Sequence, residues 1–180
     1  MTKYVAFLRA VNVGGRVIKM QELKKQFESL QFSNVETFIA SGNVIFETKE
    51  RESAKLERKI EARLLDAFGY EVGAYVRSAA EVSEIAGRNP FSASAFTNGA
   101  VVYVVFLPAA PDAAGNRKVQ ALANEIDEFY VAGREVHWLC RKELEGRRSA
   151  GPPLGKALGM AATVRNSRTV TRIAQKYCVP

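Results

Sequence analysis

The chain has 180 residues, of which 47% are hydrophobic, and it carries a formal net charge of +7 at pH 7. A chain of this length buries enough surface to fold without a metal or disulfide staple, and neither of its two cysteines has a partner at metal-ligand spacing. Because it shows no signal-peptide pattern and no apolar run of membrane-spanning length, we expect a cytoplasmic protein with reduced thiols and no membrane partner.

The first part of the chain alternates between strand-like and helical patterns. Apolar residues such as Leu23 and Phe27 recur at spacings of three and four, which predicts helices, and Gly69 is placed to end the second of them. The turn residues at 40–43 predict a hairpin. The predicted elements are a strand at residues 4–11, a helix at 19–30, strands at 35–39 and 44–47, a helix at 53–68 and a strand at 72–77.

The second part follows a similar order after a short helix at 79–86 and a polar loop. We find no residue-level repeat between the two parts, so a duplication is inferred from element order alone. The predicted elements are a strand at 101–107, a helix at 116–123, strands at 129–132 and 135–139, a Gly- and Pro-rich loop at 146–155, a short helical segment at 156–160 and a closing helix at 166–177.

Strand, helix, strand, strand, helix, strand is the ferredoxin-like order, in which an antiparallel sheet carries two helices on one face. The sequence therefore predicts an α+β protein made of two ferredoxin-like halves. We expect an N-terminal half at residues 1–78, a connecting helix and loop at 79–98, and a C-terminal α/β half at 99–180 that ends in a basic helix.

The excess positive charge lies at one end of the chain. Residues 1–133 contain 16 basic and 16 acidic residues, whereas residues 134–180 contain 10 basic and 3 acidic residues. A basic region without local counter-charge attracts phosphate groups, nucleic acid or an acidic surface.

Arg9 interrupts a strand that we expect to be buried, on the same face as Val5 and Phe7. If the other half covers the helix-free face of the sheet, Arg9 would lie in a cleft between the halves. One interpretation is a structural ion pair with a carboxylate. The other is an anion-binding arginine, because a guanidinium group binds phosphate or carboxylate through two hydrogen bonds. The sequence leaves both open.

Two short polar segments lie next to predicted strands. Asn12 and Gly14 belong to a segment whose backbone N–H groups could approach a phosphate, although a simple connecting turn is the favoured interpretation. Ser41, Gly42 and Asn43 suit a tight hairpin turn, since Gly and Asn tolerate a positive φ. The predicted strand order does not by itself place Asn12 beside Asn43.

The segment at 163–172 combines a helix start with basic residues. Asn166 is a suitable N-cap for the closing helix, and Thr169 falls in its first turn. The free N–H groups and positive dipole end of that helix would lie near Arg165 and Arg168. The segment predicts either an anion site or a capped helix with a solvated basic face.

Catalytic and metal-binding patterns do not stand out. The single histidine, His137, alternates with Val136 and Trp138 in a strand, so we expect it to be half-exposed and structural. No metal-ligand cluster, nucleophile elbow or carboxylate pair is evident, and we expect neither a metal nor a cofactor. Whether the chain is an enzyme stays open.

Four segments, taken together, resemble one family. They are YVAFLRAVNVGG at 4–15, TFIASGNVIFE at 37–47, VRSAAEVSEIAGRNPF at 76–91 and AATVRNSRTVTR at 161–172. In order and spacing they resemble DUF1697, a bacterial domain family of unknown function. The resemblance implies a stand-alone cytoplasmic protein built from two ferredoxin-like halves, and it brings no established activity, substrate or cofactor.

The family's typical signature, LRGINVGG, QSGNVVF and TRNWNTVT, matches this chain at polar and glycine positions. Ala10 stands where the family tends to have Gly, Ala40 where it tends to have Gln, and Ser167-Arg168 where it tends to have Trp-Asn. If that Trp stacks on a ligand, the change affects any shared ligand. The matching positions are Arg9, Asn12, Gly14, Gly15, Ser41, Gly42, Asn43, Arg165, Asn166, Thr169 and Thr171.

The leading hypothesis is a binding protein for a phosphorylated or anionic small molecule held between the two halves. The alternatives are nucleic-acid binding through the basic C-terminal region and an enzyme that acts on a nucleotide-like substrate. The candidate ligand-binding residues are Arg9, Asn12, Gly14, Ser41, Gly42, Asn43, Arg165, Asn166 and Thr169.

Overall fold

The computed structural model describes residues 1–12, 14–96, 99–141 and 153–179. The chain divides into two compact units, the first formed by Met1–Gly87 with Thr171–Pro180 and the second by Arg88–Val170. Each unit contains a four-stranded antiparallel sheet with helices, which confirms the predicted fold class of two ferredoxin-like halves. In this division the helix after residue 78 and the final segment of the chain belong with the first sheet.

The first unit has its longest strand at the centre of the sheet. Its elements are β1 (Thr2–Arg9), α1 (Met20–Ser29), β2 (Ser33–Thr37), β3 (Asn43–Thr48), α2 (Ser53–Phe68), β4 (Gly73–Ser78) and α3 (Ala79–Gly87). The strand order is β2-β3-β1-β4, and β1 pairs antiparallel with both neighbours. As predicted, α2 is followed by Gly69, which adopts the left-handed conformation (φ 74°) that glycine favours.

Alternation along β1 separates the two faces of the first sheet. Tyr4, Ala6 and Leu8 join the apolar core formed with the helices, while Val5 and Phe7 are buried on the opposite face. The helices contribute apolar stripes at helical spacing. Their core residues are Leu23, Phe27, Leu56, Ile60 and Leu64.

The edge strand β4 has its outward N–H groups bonded to glutamates. Ala74 N–H donates to Glu61 Oε1 and Val76 N–H donates to Glu57 Oε1, both at 2.9 Å. Ser78 N–H donates to Glu81 Oε2 at 2.7 Å. An edge strand with open N–H groups is a template for pairing with another chain. These carboxylates therefore close that edge of the sheet.

Glu57 also faces the most deeply buried arginine of the first unit. Arg77 is 1% exposed, and its Nη1 lies 3.6 Å from Glu57 Oε1 and donates to Val76 O at 2.9 Å. The sequence analysis expects the whole strand that contains Arg9 to be buried, whereas the structure buries Arg77 and leaves the end of the strand exposed. Arg9 is exposed because β1 ends there, so its side chain lies beyond the covered part of the strand.

The second unit has the strand order β6-β7-β5-β8. Its elements are β5 (Val101–Phe106), α4 (Ala113–Gln120), β6 (Asp127–Ala132), β7 (Glu135–Cys140), α5 (Leu154–Leu158) and β8 (Thr163–Asn166). A 3-10 turn at Ala93–Ala95 precedes them, and α6 (Ser167–Tyr177) ends the chain's regular structure. The apolar core of the second unit contains Val105, Val136 and Trp138 from the sheet and Val119 and Leu154 from the helices.

Two elements of the second unit differ from the predictions. α4 begins three residues before the predicted helix, because the Asp112 side chain accepts a hydrogen bond from Gly115 N–H at 2.7 Å. The sequence analysis does not predict β8. Its four residues carry no apolar run, and pairing with β5 makes them a strand. The predicted loop at 146–155 lies largely outside the described residues.

Replacing Glu57 with Gln is expected to lower the free energy of unfolding by about 3 kcal/mol, because Arg77 would keep a buried charge without this anionic partner. Urea denaturation followed by circular dichroism measures the loss. The matched control is Glu61→Gln, in which the amide oxygen still accepts from Ala74 and no described ion pair is broken. We expect the control to stay within about 0.5 kcal/mol of wild type. Equal losses in both variants would contradict a role for the Arg77 charge.

Candidate functional site

The predicted site residues of the first unit gather at one end of its sheet. Because β1 runs antiparallel to β3, with Phe7 opposite Asn43, the loop after β1 meets the turn before β3. Asn12 joins them: its Nδ2 donates to Ala40 O at 3.1 Å, and its Oδ1 accepts from Ile18 N–H at 2.9 Å. We call residues 9–12, 14–18 and 38–43 the loop cluster.

Ser41, Gly42 and Asn43 hold the turn of the loop cluster in shape. Asn43 is buried, and its Nδ2 donates to Phe38 O at 3.0 Å and to Ser41 Oγ at 2.8 Å. Gly42 has φ 75°, and a Cβ there would lie 2.8 Å from a methyl group of Val11. These contacts give the three residues a structural role. A contact of theirs with a ligand stays a prediction.

Two residues of the loop cluster adopt a backbone conformation that side chains disfavour. Ala10 has φ 67° and Ile39 has φ 51°. A β-branched residue in the left-handed region is a true outlier, and such strain concentrates at functional sites. Ala10 stands where the resembling family tends to have Gly, the residue that this backbone favours. Asn12 ties the two strained segments together through Ala40.

Exposed arginines flank the glycines of the loop cluster. Gly14 and Gly15 have φ 66° and 80°, with open space where a Cβ would lie. The guanidinium carbon of Arg16 lies 4.4 Å from the centre of the Tyr70 ring, and the Tyr70 hydroxyl donates to Val11 O at 2.9 Å. Neither Arg9 nor Arg16 has a carboxylate within 4 Å in the described part of the chain. The sequence analysis does not select Arg16 as a site residue.

The predicted site residues of the second unit occupy β8 and the start of α6. Arg165 is 7% exposed, and its Nη1 donates to Thr163 Oγ1 and Val164 O, both at 2.9 Å. Burial lowers the pKa of Arg165 to about 10. The Asn166 side chain accepts from Arg168 N–H at 2.9 Å, which confirms the predicted N-cap. Thr169 is half-buried in the first turn of α6.

The buried polar residues described in the second unit lie on one face of its sheet. Phe106 pairs with Glu135 and Thr163, and Val104 pairs with His137 and Arg165. Directly paired residues of an antiparallel sheet share a face. The apolar core that includes Val136 and Trp138 is on the other face. We call Glu135, His137, Thr163 and Arg165 the polar face.

His137 is 1% exposed, so its expected half-exposed position is wrong. Its Nε2 is buried and forms no hydrogen bond with any described residue. Burial, with a smaller contribution from the Arg88 charge, lowers the pKa of His137 to about 4. The imidazole is therefore neutral at physiological pH. Alternation in the sequence places His137 on a strand, but it does not reveal that this face is covered.

The two units share a residue-level repeat that the sequence analysis misses. Residues 4–8 read YVAFL and residues 103–107 read YVVFL, and the two segments lie in and at the end of the inner strands β1 and β5. Leu8 N–H donates to Gly42 O and Leu107 N–H donates to Arg134 O, each at 2.8 Å. The recurring YV-x-FL motif is the signal that identifies the duplication.

The edge strands repeat as well. Residues 76–86 read VRSAAEVSEIA and residues 164–174 read VRNSRTVTRIA, each a strand end followed by a helix. Arg77 and Arg165 occupy the same place in this repeat, and each donates to the carbonyl of the residue before it at 2.9 Å. Val5 lies between Ile45 and Arg77 as Val104 lies between His137 and Arg165. Ile45 is therefore the counterpart of His137.

A family model described as protein of unknown function, DUF1697, matches residues 1–137. The chain belongs to the DUF1697 family. This confirms the predicted resemblance, and the fourth resembling block, at 161–172, lies beyond the matched residues. No curated protein matches the chain.

The fold of this DUF1697 chain is similar to that of a solved structure, the conserved bacterial protein SP0830 from Streptococcus pneumoniae. The two superpose with a TM-score of 0.74 at 23% identity, covering 97% of each chain. The descriptions of the family and of this solved structure specify no ligand, nucleic acid or reaction.

No helix in the described ranges of this DUF1697 chain has the length and apolar character needed to cross a membrane. Across the same ranges, no group of three or more His, Cys, Asp or Glu residues is placed to hold a metal ion.

Ala10→Gly is expected to raise the free energy of unfolding by about 1 kcal/mol, because glycine adopts φ 67° without the clash that a Cβ causes. Thermal and urea denaturation measure the change. The matched control, Ala62→Gly, lies at an exposed position inside α2 and is expected to lose about 1 kcal/mol. A loss in both variants would show that Ala10 is not strained.

Lowering the pH from 6.5 to about 4 is expected to destabilise the protein through His137, since in that range the unfolded chain takes up a proton and the folded chain does not. At pH 4 this difference in proton uptake lowers the free energy of unfolding by about 3 kcal/mol. Urea unfolding of wild type and His137→Ile at pH 7 and pH 4.5 measures the effect of the histidine. The carboxylates titrate in both proteins, so the difference in pH dependence between the two comes from His137. A difference between the two that is independent of pH would contradict a buried neutral imidazole.

Proposed function

We propose that the protein binds a small anionic ligand, most simply a phosphorylated molecule, at the loop cluster of the first unit. The observation that carries the proposal is the pair of exposed arginines, Arg9 and Arg16, on either side of a glycine-containing loop. A guanidinium group stays charged at all physiological pH values and binds phosphate through two parallel hydrogen bonds.

The glycines of this loop support the proposal. At Gly14 and Gly15 no side chain covers the backbone, and open space lies where a Cβ would be. Successive backbone N–H groups in such a conformation form concave sites for anions. A phosphate could thus receive hydrogen bonds from the backbone as well as charge from the arginines.

Contacts within the protein also hold the loop cluster in place. Asn12 fixes the loop to the turn through Ala40, and Tyr70 fixes it through Val11 and stacks under Arg16. A site that is already ordered loses less conformational entropy on binding. The strained backbone at Ala10 and Ile39 agrees with a geometry selected for binding at some loss of stability.

Isothermal titration with inorganic phosphate and with a nucleoside monophosphate tests the proposal. Arg9→Ala and Arg16→Ala are each expected to weaken binding by about tenfold or more, since a hydrogen bond to a charged group contributes about 1.5–3 kcal/mol. Arg117→Ala on α4 is the matched control, because it removes the same charge from an exposed helix of the second unit. Equal affinities in the wild-type protein and all three variants would overturn the proposal.

Nucleic-acid binding is the second candidate, and one observation favours it. Arg168, Arg172 and Lys176 recur at every fourth position of α6 and are all exposed, so they form a basic stripe along one helix face. Phosphate-backbone binding would weaken steeply with salt. Loss of oligonucleotide binding in Arg172→Ala, with phosphate binding at the loop cluster retained, would favour this candidate.

A further inference from the structure

The register of β1 and β4 places a tyrosine and a glycine beside Arg9. Phe7 pairs with Tyr75, and in the next row of the same face Arg9 pairs with Gly73. Directly paired residues of an antiparallel sheet share a face, so these side chains lie away from the core that the helices form. Arg9 is exposed at the end of β1. This face of the sheet therefore leads from a buried tyrosine to an arginine of the proposed anion site.

The hydroxyl of Tyr75 is an available hydrogen-bond donor. Tyr75 is 4% exposed, and its hydroxyl forms no hydrogen bond in the described part of the chain. Solvent still reaches this oxygen, because the sealed polar side-chain atoms without a partner in the same ranges are Gln26 Oε1, Arg63 Nε and His137 Nε2. Burial raises the pKa of Tyr75, so the phenol keeps its proton at physiological pH. A half-hidden donor without a partner lowers stability and is explained by a ligand that accepts from it.

Gly73 leaves space open between this hydroxyl and Arg9. A Cβ at Gly73 would lie 3.5 Å from Arg9 Cβ, 3.5 Å from Tyr75 Cε2 and 3.7 Å from Tyr75 Oη. These are ordinary van der Waals distances, so the sheet itself would accept alanine at this position. A glycine inside a strand weakens the strand and often marks a place where a ligand approaches the backbone. Access to the strand therefore explains this glycine better than packing does.

The charges near Tyr75 leave Arg9 as the exposed one. After burial, the charged groups that act on the pKa of Tyr75 are, in order of effect, Arg9, Glu61, Glu57 and Arg77. Glu57 lies 3.6 Å from Arg77, and Glu61 accepts from a backbone N–H of β4. Glu71, just before β4, is exposed and is not one of the groups that act on Tyr75. Both carboxylates that do act on it are thus bound within the protein.

We infer that Tyr75 completes the proposed anion site, with its hydroxyl donating to an oxygen of a phosphate group that lies over Gly73 and binds Arg9. The inference rests on the proposed function, because Arg9 belongs to the loop cluster. The guanidinium group supplies charge and paired hydrogen bonds, and the neutral hydroxyl adds one directed bond. Together with the loop backbone, these donors suit the three acceptor oxygens of a terminal phosphate. The ligand class is therefore a phosphomonoester.

Isothermal titration with methyl phosphate, a small phosphomonoester, tests the role of the hydroxyl. Tyr75→Phe is expected to weaken binding by about tenfold or more, because it removes a hydrogen bond to a charged group. Its free energy of unfolding is expected to equal that of the wild type, since no hydrogen bond within the protein is lost. The matched control is Tyr4→Phe, which removes the hydroxyl of a 3% exposed tyrosine on the other face of the same sheet. We expect this control to bind as the wild type does.

A second pair of variants tests access to the strand. Gly73→Ala is expected to fold and to weaken binding of methyl phosphate severalfold, because the added methyl group occupies the space between Arg9 and Tyr75. Gly87→Ala is the matched control, since a Cβ at this position at the end of α3 meets nothing within 4 Å. Unchanged affinity in Gly73→Ala would contradict a ligand over this glycine.

A spectroscopic measurement separates contact with the ligand from a structural role. In protein labelled with ¹³C at tyrosine Cζ, the signal that is missing in Tyr75→Phe belongs to Tyr75. We expect this signal to shift saturably with methyl phosphate. Dimethyl phosphate, which has two free oxygens and one charge, is expected to bind at least tenfold more weakly. Equal binding of the two esters would overturn the ligand class.

The outcomes distinguish this inference from the proposed function. If the wild-type protein binds neither inorganic phosphate nor methyl phosphate, both are overturned. If binding depends on Arg9 but is unchanged in Tyr75→Phe, and the Tyr75 Cζ signal does not move, the anion site stands and the role of Tyr75 is overturned.

Discussion

The arrangement of the first unit depends on the pairing of one strand with two antiparallel neighbours. With Phe7 opposite both Asn43 and Tyr75, the end of β1 has to lie beside the starts of β3 and β4. The loops that join these strands are thereby brought to one edge of the sheet. Asn12 and Gly42 then fit the loops together at close range. The candidate site is thus a consequence of strand register.

A single carboxylate links the edge of that sheet to its buried charge. Glu57 accepts from Val76 N–H and lies beside Arg77, so it satisfies a backbone donor and balances a cation at once. A buried charge pair of this kind is no stronger than good apolar packing, but removing one member is very unfavourable.

Local sequence pattern was sufficient for most of the elements. The helical spacing of Leu56, Ile60 and Leu64, followed by Gly69, predicted α2 at its observed bounds, because these signals act within one or two turns. Structure that depends on contacts between residues distant in sequence could not be predicted from local pattern. The strand β8 forms only by pairing with β5, and the burial of Arg77 and His137 depends on what lies around them in space. The loop cluster could be predicted in part. The sequence identifies its residues as candidates, but that they lie close together follows only from the register of β1 and β3.

The presence of two similar sheet units in one chain affects which substitutions the protein can accept. In a symmetric dimer of identical chains, every substitution appears in both copies, so an unfavourable residue acts twice. A chain that carries both copies in tandem can alter one and leave the other as a stable template. The isoleucine at 45 and the histidine at 137 are one such divergence. Because the two repeats lie in one chain, each sheet can carry substitutions that the other lacks.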